Sequence, residues 1–127
     1  MPLQRLDSLS AISAQQWDAL VPEAQPFLRH AFLSALEDSG SLGTHSGWQP
    51  EHLLHYENGQ LLAALPSYRK WHSYGEYVFD HEWANACERA AVEYYPKLLT
   101  AVPFSPVVGP RLLAARAEDG LELLAAL

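Results

Sequence analysis

Apolar positions along the chain fall into short blocks whose spacing changes character several times. From Ser13 to Val21 the order Ser-Ala-Gln-Gln-Trp-Asp-Ala-Leu-Val predicts a short helix. Ser13 with Gln16 three residues later is a capping-box pair, and Pro22 stops the run. A second helix is predicted from Pro26, because Leu28, Ala31, Phe32, Ala35 and Leu36 recur at helical spacing until Ser39-Gly40 ends it. Residues 41–50 read as a Gly/Ser/Thr loop. Two apolar runs follow, His52 to Glu57 and Gln60 to Tyr68, joined at Asn58-Gly59. Both of those residues tolerate the positive φ of a type I′ turn, so the pair predicts a hairpin. Pro66 inside the second run predicts an edge position or a bulge.

Tyr77-Val78-Phe79 reads as a third strand. Asp80 then caps a predicted helix with Trp83, Ala86, Cys87, Ala90 and Tyr94 on one face, closed by Pro96. Leu98 to Phe104 reads as a fourth strand, and Ser105 to Pro110 as a loop. From Ala117 to Leu127 a last helix is predicted, with Leu121, Leu124 and Ala125 on its apolar side. It runs out on Leu-Leu-Ala-Ala-Leu with no glycine cap or polar tail, which predicts a chain that stops within a fold. The order of elements predicts one α/β (α+β) unit spanning residues 1–127.

Composition narrows the function classes. The 127 residues are 49% hydrophobic and 11% aromatic, which excludes a disordered chain. No apolar run approaches the ~20 residues of a membrane span, and the N-terminus lacks the apolar core of a secretory signal. Eight Lys+Arg against fifteen Asp+Glu, a formal net charge of −7, leave no basic footprint for autonomous nucleic-acid binding. A single cysteine, Cys87, forms no internal disulfide and argues for a reducing, cytoplasmic setting. On its helix Cys87 reads as a small buried hydrophobe rather than a nucleophile.

Six histidines raise the question of a metal. His52 and His55 are three apart on a predicted strand, a spacing that points them to opposite faces. His81-Glu82 has no second histidine four residues on. No metal site is expected. The chemistry-bearing residues concentrate between Pro66 and Leu113, first in the passage from Tyr68 to Asp80, then in Tyr94-Tyr95-Pro96-Lys97 and in Pro103 to Arg111. Polar, aromatic and imino residues at this density on connecting loops suit a binding site, and equally a tyrosine-rich rim with an Arg/Glu ion pair.

The strings His72-Ser73-Tyr74-Gly75-Glu76-Tyr77-Val78-Phe79-Asp80, Tyr94-Tyr95-Pro96-Lys97-Leu98 and Ala101 to Leu113 resemble those of a bacterial FemAB-like family. Its members are peptidoglycan-biosynthesis/recognition proteins of the GNAT acyltransferase type, and the resemblance runs from about Phe27 to Leu113. Members are much longer, usually with two GNAT-like halves. The resemblance therefore implies a partial GNAT-like mixed sheet flanked by helices, the N-terminal portion of a larger fold. It implies an aminoacyl or acyl transferase acting on a peptidoglycan precursor, with this chain inactive alone.

In such chemistry an amine attacks an activated ester, which requires a base and stabilisation of the developing oxyanion. By residue type Glu76 or Asp80 is the expected base, and His72, Tyr74, Lys97 and Arg111 are the expected substrate-binding partners. No cofactor is expected. The predicted helix opens on Asp80-His81-Glu82 without a glycine-rich loop before it, and carboxylates there repel the pyrophosphate of coenzyme A. An alternative is a non-catalytic peptide or glycan recognition module in which Tyr68, Trp71, Tyr74 and Tyr77 form a stacking rim. A third reading is a remnant that folds only with a partner copy, and a homo-oligomer is expected from the uncovered face of the last helix.

Overall fold

The hairpin predicted at Asn58-Gly59 is the centre of the fold. The computed structural model describes residues 3–74, 80–103 and 111–126. Strands β3 (His52–Glu57) and β4 (Gln60–Leu65) pair antiparallel with Glu57 opposite Gln60. Asn58 and Gly59 take φ of 54° and 78°, as a type I′ turn requires. Strand β1 (Leu3–Leu6) joins β3 and β7 (Leu113–Ala114) joins β4, giving the sheet order β1-β3-β4-β7. Both edge strands are too short to leave a sequence pattern.

Pro66 does not sit in a bulge; the register shift falls between His55 and Tyr56. Instead Pro66 and Ser67 mark where the chain leaves the first sheet. The next residues form β5 (Tyr68–Lys70), which lies between β2 (Trp48–Pro50) and β6 (Lys97–Leu99) in a second antiparallel sheet. The run predicted as one strand over residues 60–68 is therefore two strands in two sheets. Strand β2 lies in the stretch predicted as loop, and the predicted fourth strand reduces to Lys97–Leu99. The predicted strand Tyr77-Val78-Phe79 and the loop Ser105 to Pro110 lie outside the described residues. The α+β class stands, with four α-helices among the described residues, and it is consistent with a partial GNAT-like fold.

Helix α1 (Ala14–Asp18) starts as predicted, with Ser13 Oγ accepting the Gln16 N–H at 3.1 Å. Trp17 is fully buried and donates its indole N–H to the Leu28 carbonyl at 2.9 Å. Pro26 opens a 3-10 turn rather than a helix, because Arg29 is extended (φ −68°, ψ 150°). Helix α2 (His30–Asp38) begins after that break, and Asp18 Oδ1 accepts the His30 N–H at 2.8 Å. The restart rotates the phase: Leu33 is buried while Ala31 and Ala35 face solvent, contrary to the stripe predicted from Pro26.

Leu54, Leu61 and Ala64 face Trp17, Leu28 and Leu33 on one side of the hairpin, while Leu53, Ala63 and Leu65 face Leu123 on the other. Both faces are covered, which is why these strands read as continuous apolar runs rather than alternations. Leu123 belongs to α4 (Ala117–Ala125), which seats Gly120 against Leu112 so closely that an added Cβ would lie 2.8 Å from its Cδ2. Leu121 and Leu124, predicted on the packed side, lie 66% and 43% exposed on the outer face. Helix α3 (His81–Arg89) also corrects its prediction. It ends before Ala91, which takes φ 58°, so Tyr94 is not on it. Trp83 is 71% exposed, Ala86 and Ala90 face solvent, and Cys87 is half-buried rather than buried.

Candidate functional site

The second sheet sets two lysines directly opposite one another, Lys70 on β5 and Lys97 on β6, with Trp48 opposite Lys70 on β2. Opposed residues of an antiparallel pair share a face, so all three side chains rise on one side. Lys70 is fully buried, its Nζ 3.9 Å from the Trp48 ring centroid. It donates to the Tyr74 carbonyl at 2.5 Å, and the Trp48 indole N–H donates to the same oxygen at 3.2 Å. Two donors on one carbonyl hold the chain after β5 down over the sheet.

His72 tightens that hold. Its Nδ1 accepts the Tyr74 N–H at 3.0 Å, so Nε2 carries the proton and donates to the Ser46 carbonyl at 2.8 Å. The ring lies against Gly47, which has φ 74°; a Cβ there would sit 2.2 Å from His72 Nε2. His72 is thus engaged in holding its own loop, and Tyr74 projects a ring that is 73% exposed.

Between these residues Ser73 turns inward and joins the polar cluster. Lys97 Nζ donates to Ser73 Oγ at 3.0 Å and to Asp80 Oδ2 at 2.5 Å. The Tyr94 hydroxyl also donates to Asp80 Oδ2, and Ser73 Oγ and the Tyr95 hydroxyl are 2.5 Å apart. Asp80 occupies the N-cap position of α3, yet its side chain makes no capping bond because it is committed to Lys97 and Tyr94.

Electrostatics follow from this geometry. Burial pushes the Asp80 carboxyl up, but Lys97, Ser73 and Tyr94 together outweigh it and hold the group well below the usual carboxylate range. The hydrogen bond to Asp80, reinforced by burial, pushes the Tyr94 phenol up to about 12. Asp80 Oδ1, by contrast, is buried and accepts no hydrogen bond among the described residues. Buried acceptors are nearly always satisfied, so this oxygen, on a carboxylate already held by Lys97 and Tyr94, retains the capacity to accept one more hydrogen bond.

A shallow groove of about 380 Å³ borders the cluster, lined by Ala84, Asn85 and Glu88 of α3 and by Val92, Tyr94 and Tyr95. Of the residues singled out in the sequence, Asp80 and Lys97 meet, and His72 and Tyr74 flank them through Ser73. Arg111 is half-buried in the segment just ahead of β7, an edge strand of the first sheet, whereas Lys97 lies in the second. Glu76 and Tyr77 lie outside the described residues. Tyr68, predicted for a stacking rim, is fully buried, its ring 5.6 Å from Trp48 and 5.4 Å from His52. Burial and the nearby Glu37 carboxylate push its phenol up.

A second buried polar centre had no sequence signal. Glu37 of α2 accepts the Leu9 N–H at 2.9 Å on one oxygen and the His52 Nε2–H at 2.8 Å on the other. His52 Nδ1 accepts the Ser67 N–H at 3.2 Å, and Ser67 Oγ lies 3.2 Å from Thr100 Oγ1. The Ser67 hydroxyl also bonds the Leu65 carbonyl at 3.0 Å, so this Glu-His-Ser series splices the two sheets and does not aim a nucleophile at the histidine. His55 lies on the opposite face of β3, 3.2 Å from Glu122 of α4. Among the described residues no group of three or more potential ligands is placed to hold a metal ion, and no helix is long and apolar enough to cross a membrane.

A family model described as FemAB-like, peptidoglycan biosynthesis/recognition, matches residues 8–127. No curated protein and no solved structure matches the chain.

Proposed function

The chain belongs to the FemAB-like family of peptidoglycan biosynthesis/recognition proteins, and from that membership we propose that it forms the acceptor-binding part of an aminoacyl or acyl transferase working on a peptidoglycan precursor. In that reaction a precursor amine attacks the carbonyl carbon of an activated ester. The C–N bond forms, the ester C–O bond breaks, the amine gives up a proton and the departing alcohol takes one.

The observation that carries the reading is the Asp80 carboxylate, whose Oδ2 is held by Lys97 and Tyr94 while its Oδ1 has no partner among the described residues. An acceptor N–H satisfies that oxygen while Lys97 and Tyr94 hold the other one still. Because Asp80 is held ionised, it orients the amine; Glu76, outside the described residues, is the base put forward by residue type alone. Tyr74 and Arg111 contact the rest of the substrate. The single cysteine and the acidic balance suit a cytoplasmic reaction on a soluble precursor.

Calorimetric titration with a soluble, nucleotide-linked muramyl pentapeptide tests the proposal. Saturable binding is expected, weakened by ~10-fold or more in Asp80→Asn, since a hydrogen bond to a charged group contributes about 1.5–3 kcal/mol. Tyr74→Ala, at an exposed position, serves as a variant that keeps the fold. Absence of binding by the wild-type protein refutes the reading.

Tyr74 (73% exposed), Trp83 (71%) and Trp71 (46%) favour one second reading, a recognition module without turnover. Precursor binding without transfer from any activated aminoacyl ester, in this chain and in a longer family member, selects it.

A further inference from the structure

The groove beside Asp80 has a lining whose chemistry selects one part of a peptidoglycan precursor. Tyr94 and Tyr95 both line it, their rings packed edge to face with centroids 5.0 Å apart. Their hydroxyls are engaged elsewhere, Tyr94 with Asp80 and Tyr95 with Ser73. Lys97 stands 5.7 and 5.8 Å from the two ring centroids. What these tyrosines offer a ligand is therefore pre-set aromatic surface, which costs little entropy on binding. The C–H face of a pyranose is the natural partner for such a surface, because its weakly positive hydrogens meet the negative face of the ring.

Other residues of the lining supply the polar part. Asn85 carries both a donor and an acceptor on one planar amide, the complement of an acetamido group. Glu88 accepts from sugar hydroxyls, and its charge disfavours diphosphate and the carboxylates of a stem peptide. Val92, 57% exposed, and Ala84 give the acetyl methyl an apolar seat. The volume of about 380 Å³ falls in the range of small-ligand sites. The geometry points to a subsite for an N-acetylated amino sugar in the groove between α3 and Tyr94-Tyr95. It rests on the precursor-binding reading and adds the sugar as the part held here.

The probe is di-N-acetylchitobiose, titrated into the protein by calorimetry or followed by amide chemical shifts. Saturable binding is expected, at least ten-fold tighter than for cellobiose, which lacks the acetamido groups. Asn85→Ala, a solvent-facing change on α3, weakens it at least five-fold, and Arg89→Ala, exposed on the same helix but outside the groove lining, leaves it within two-fold. No saturable binding, equal affinity for cellobiose, or an unchanged Asn85→Ala protein overturns the subsite. So does competition by the free stem pentapeptide, which places peptide in the groove. If Asp80→Asn weakens the muramyl pentapeptide while Asn85→Ala leaves it unchanged, the sugar subsite falls and the precursor-binding reading stands.

Discussion

Lys97→Met asks whether the Asp80 cluster is held together by charge. Both side chains are mostly buried, Lys97 at 14% and Asp80 at 16% exposure. Methionine preserves the stem of the lysine and removes the Nζ that donates to Asp80 and Ser73. Breaking a buried pair by deleting one partner costs about 3–5 kcal/mol, because the other charge is stranded. Water reaches part of this pair and Tyr94 still bonds Asp80, so about 2–4 kcal/mol is expected here. Asp80→Asn in the Lys97→Met background then costs much less than Asp80→Asn alone, with a coupling of about 1–3 kcal/mol.

The pH dependence has a definite sign. Asp80 titrates below the usual carboxylate value of about 3.9, so its stabilisation is complete above that value and disappears as pH falls toward the depressed one. The stability gap between wild type and Lys97→Met is therefore widest between about pH 5 and 7 and narrows below about pH 4. Urea denaturation followed by tryptophan fluorescence at pH 7, 5 and 3 measures it. A gap under about 0.5 kcal/mol at pH 7, or one that stays constant to pH 3, refutes the argument.

Four other expectations follow from single contacts. Glu37→Gln sets an amide N–H₂ against either the Leu9 N–H or the His52 Nε2–H, and His52 cannot switch tautomer while Ser67 occupies Nδ1; a loss of about 2–4 kcal/mol in denaturant melts is expected, and a neutral change contradicts the network. Gly47→Ala combines a positive φ with a clash on His72, for about 2–3 kcal/mol in the same assay, and a loss below 0.5 kcal/mol removes His72 as the clamp. Acetyl-coenzyme A shows no saturable binding by calorimetry, since Glu82 sits in the first turn of α3; a micromolar dissociation constant sinks that reasoning. Light scattering gives a dimer or larger species through the outer face of α4, converted to monomer by Leu121→Glu with Leu124→Glu, whereas a 14.2 kDa wild-type monomer at high concentration counts against it.

Local chemistry was readable where a few adjacent residues decide the outcome. Asn58-Gly59 dictates its turn by allowing two positive φ angles in a row, and Ser13 caps α1 with its own hydroxyl. Asp80 and Lys97 were picked out by residue type within specific strings, although seventeen positions separate them and their contact is tertiary. The stripe from Leu28 to Leu36 misled because periodicity assumes an unbroken helix, and the extended Arg29 resets its phase. The outer leucines of α4 misled for a related reason. Helical spacing identifies residues that share a face but not which face meets the sheet, and there Gly120 and Leu123 allow the closest approach.

The part of the site that stayed hidden traces to one event, the change of sheet at Pro66-Ser67. Had residues 60–68 continued as a single strand, Lys70 would lie beyond its end and read as an ordinary surface lysine. Because the chain breaks at Pro66 and restarts as β5, Lys70 is carried between Trp48 and Lys97. A buried ammonium needs a partner that can replace water, and here the Trp48 ring and the Tyr74 carbonyl serve. The same carbonyl fixes the loop that turns Ser73 toward Lys97, so the burial of one lysine organises the contacts of the other. Neither consequence is encoded near residue 70. Both depend on Gln49, Pro50 and the other residues of β2, a strand whose three positions are too few for an alternation to be read, and on Ser67 being tied to His52 and Thr100 at the splice. The site is legible in the sequence as a set of residue types, and its geometry follows only once the crossing between the two sheets is known.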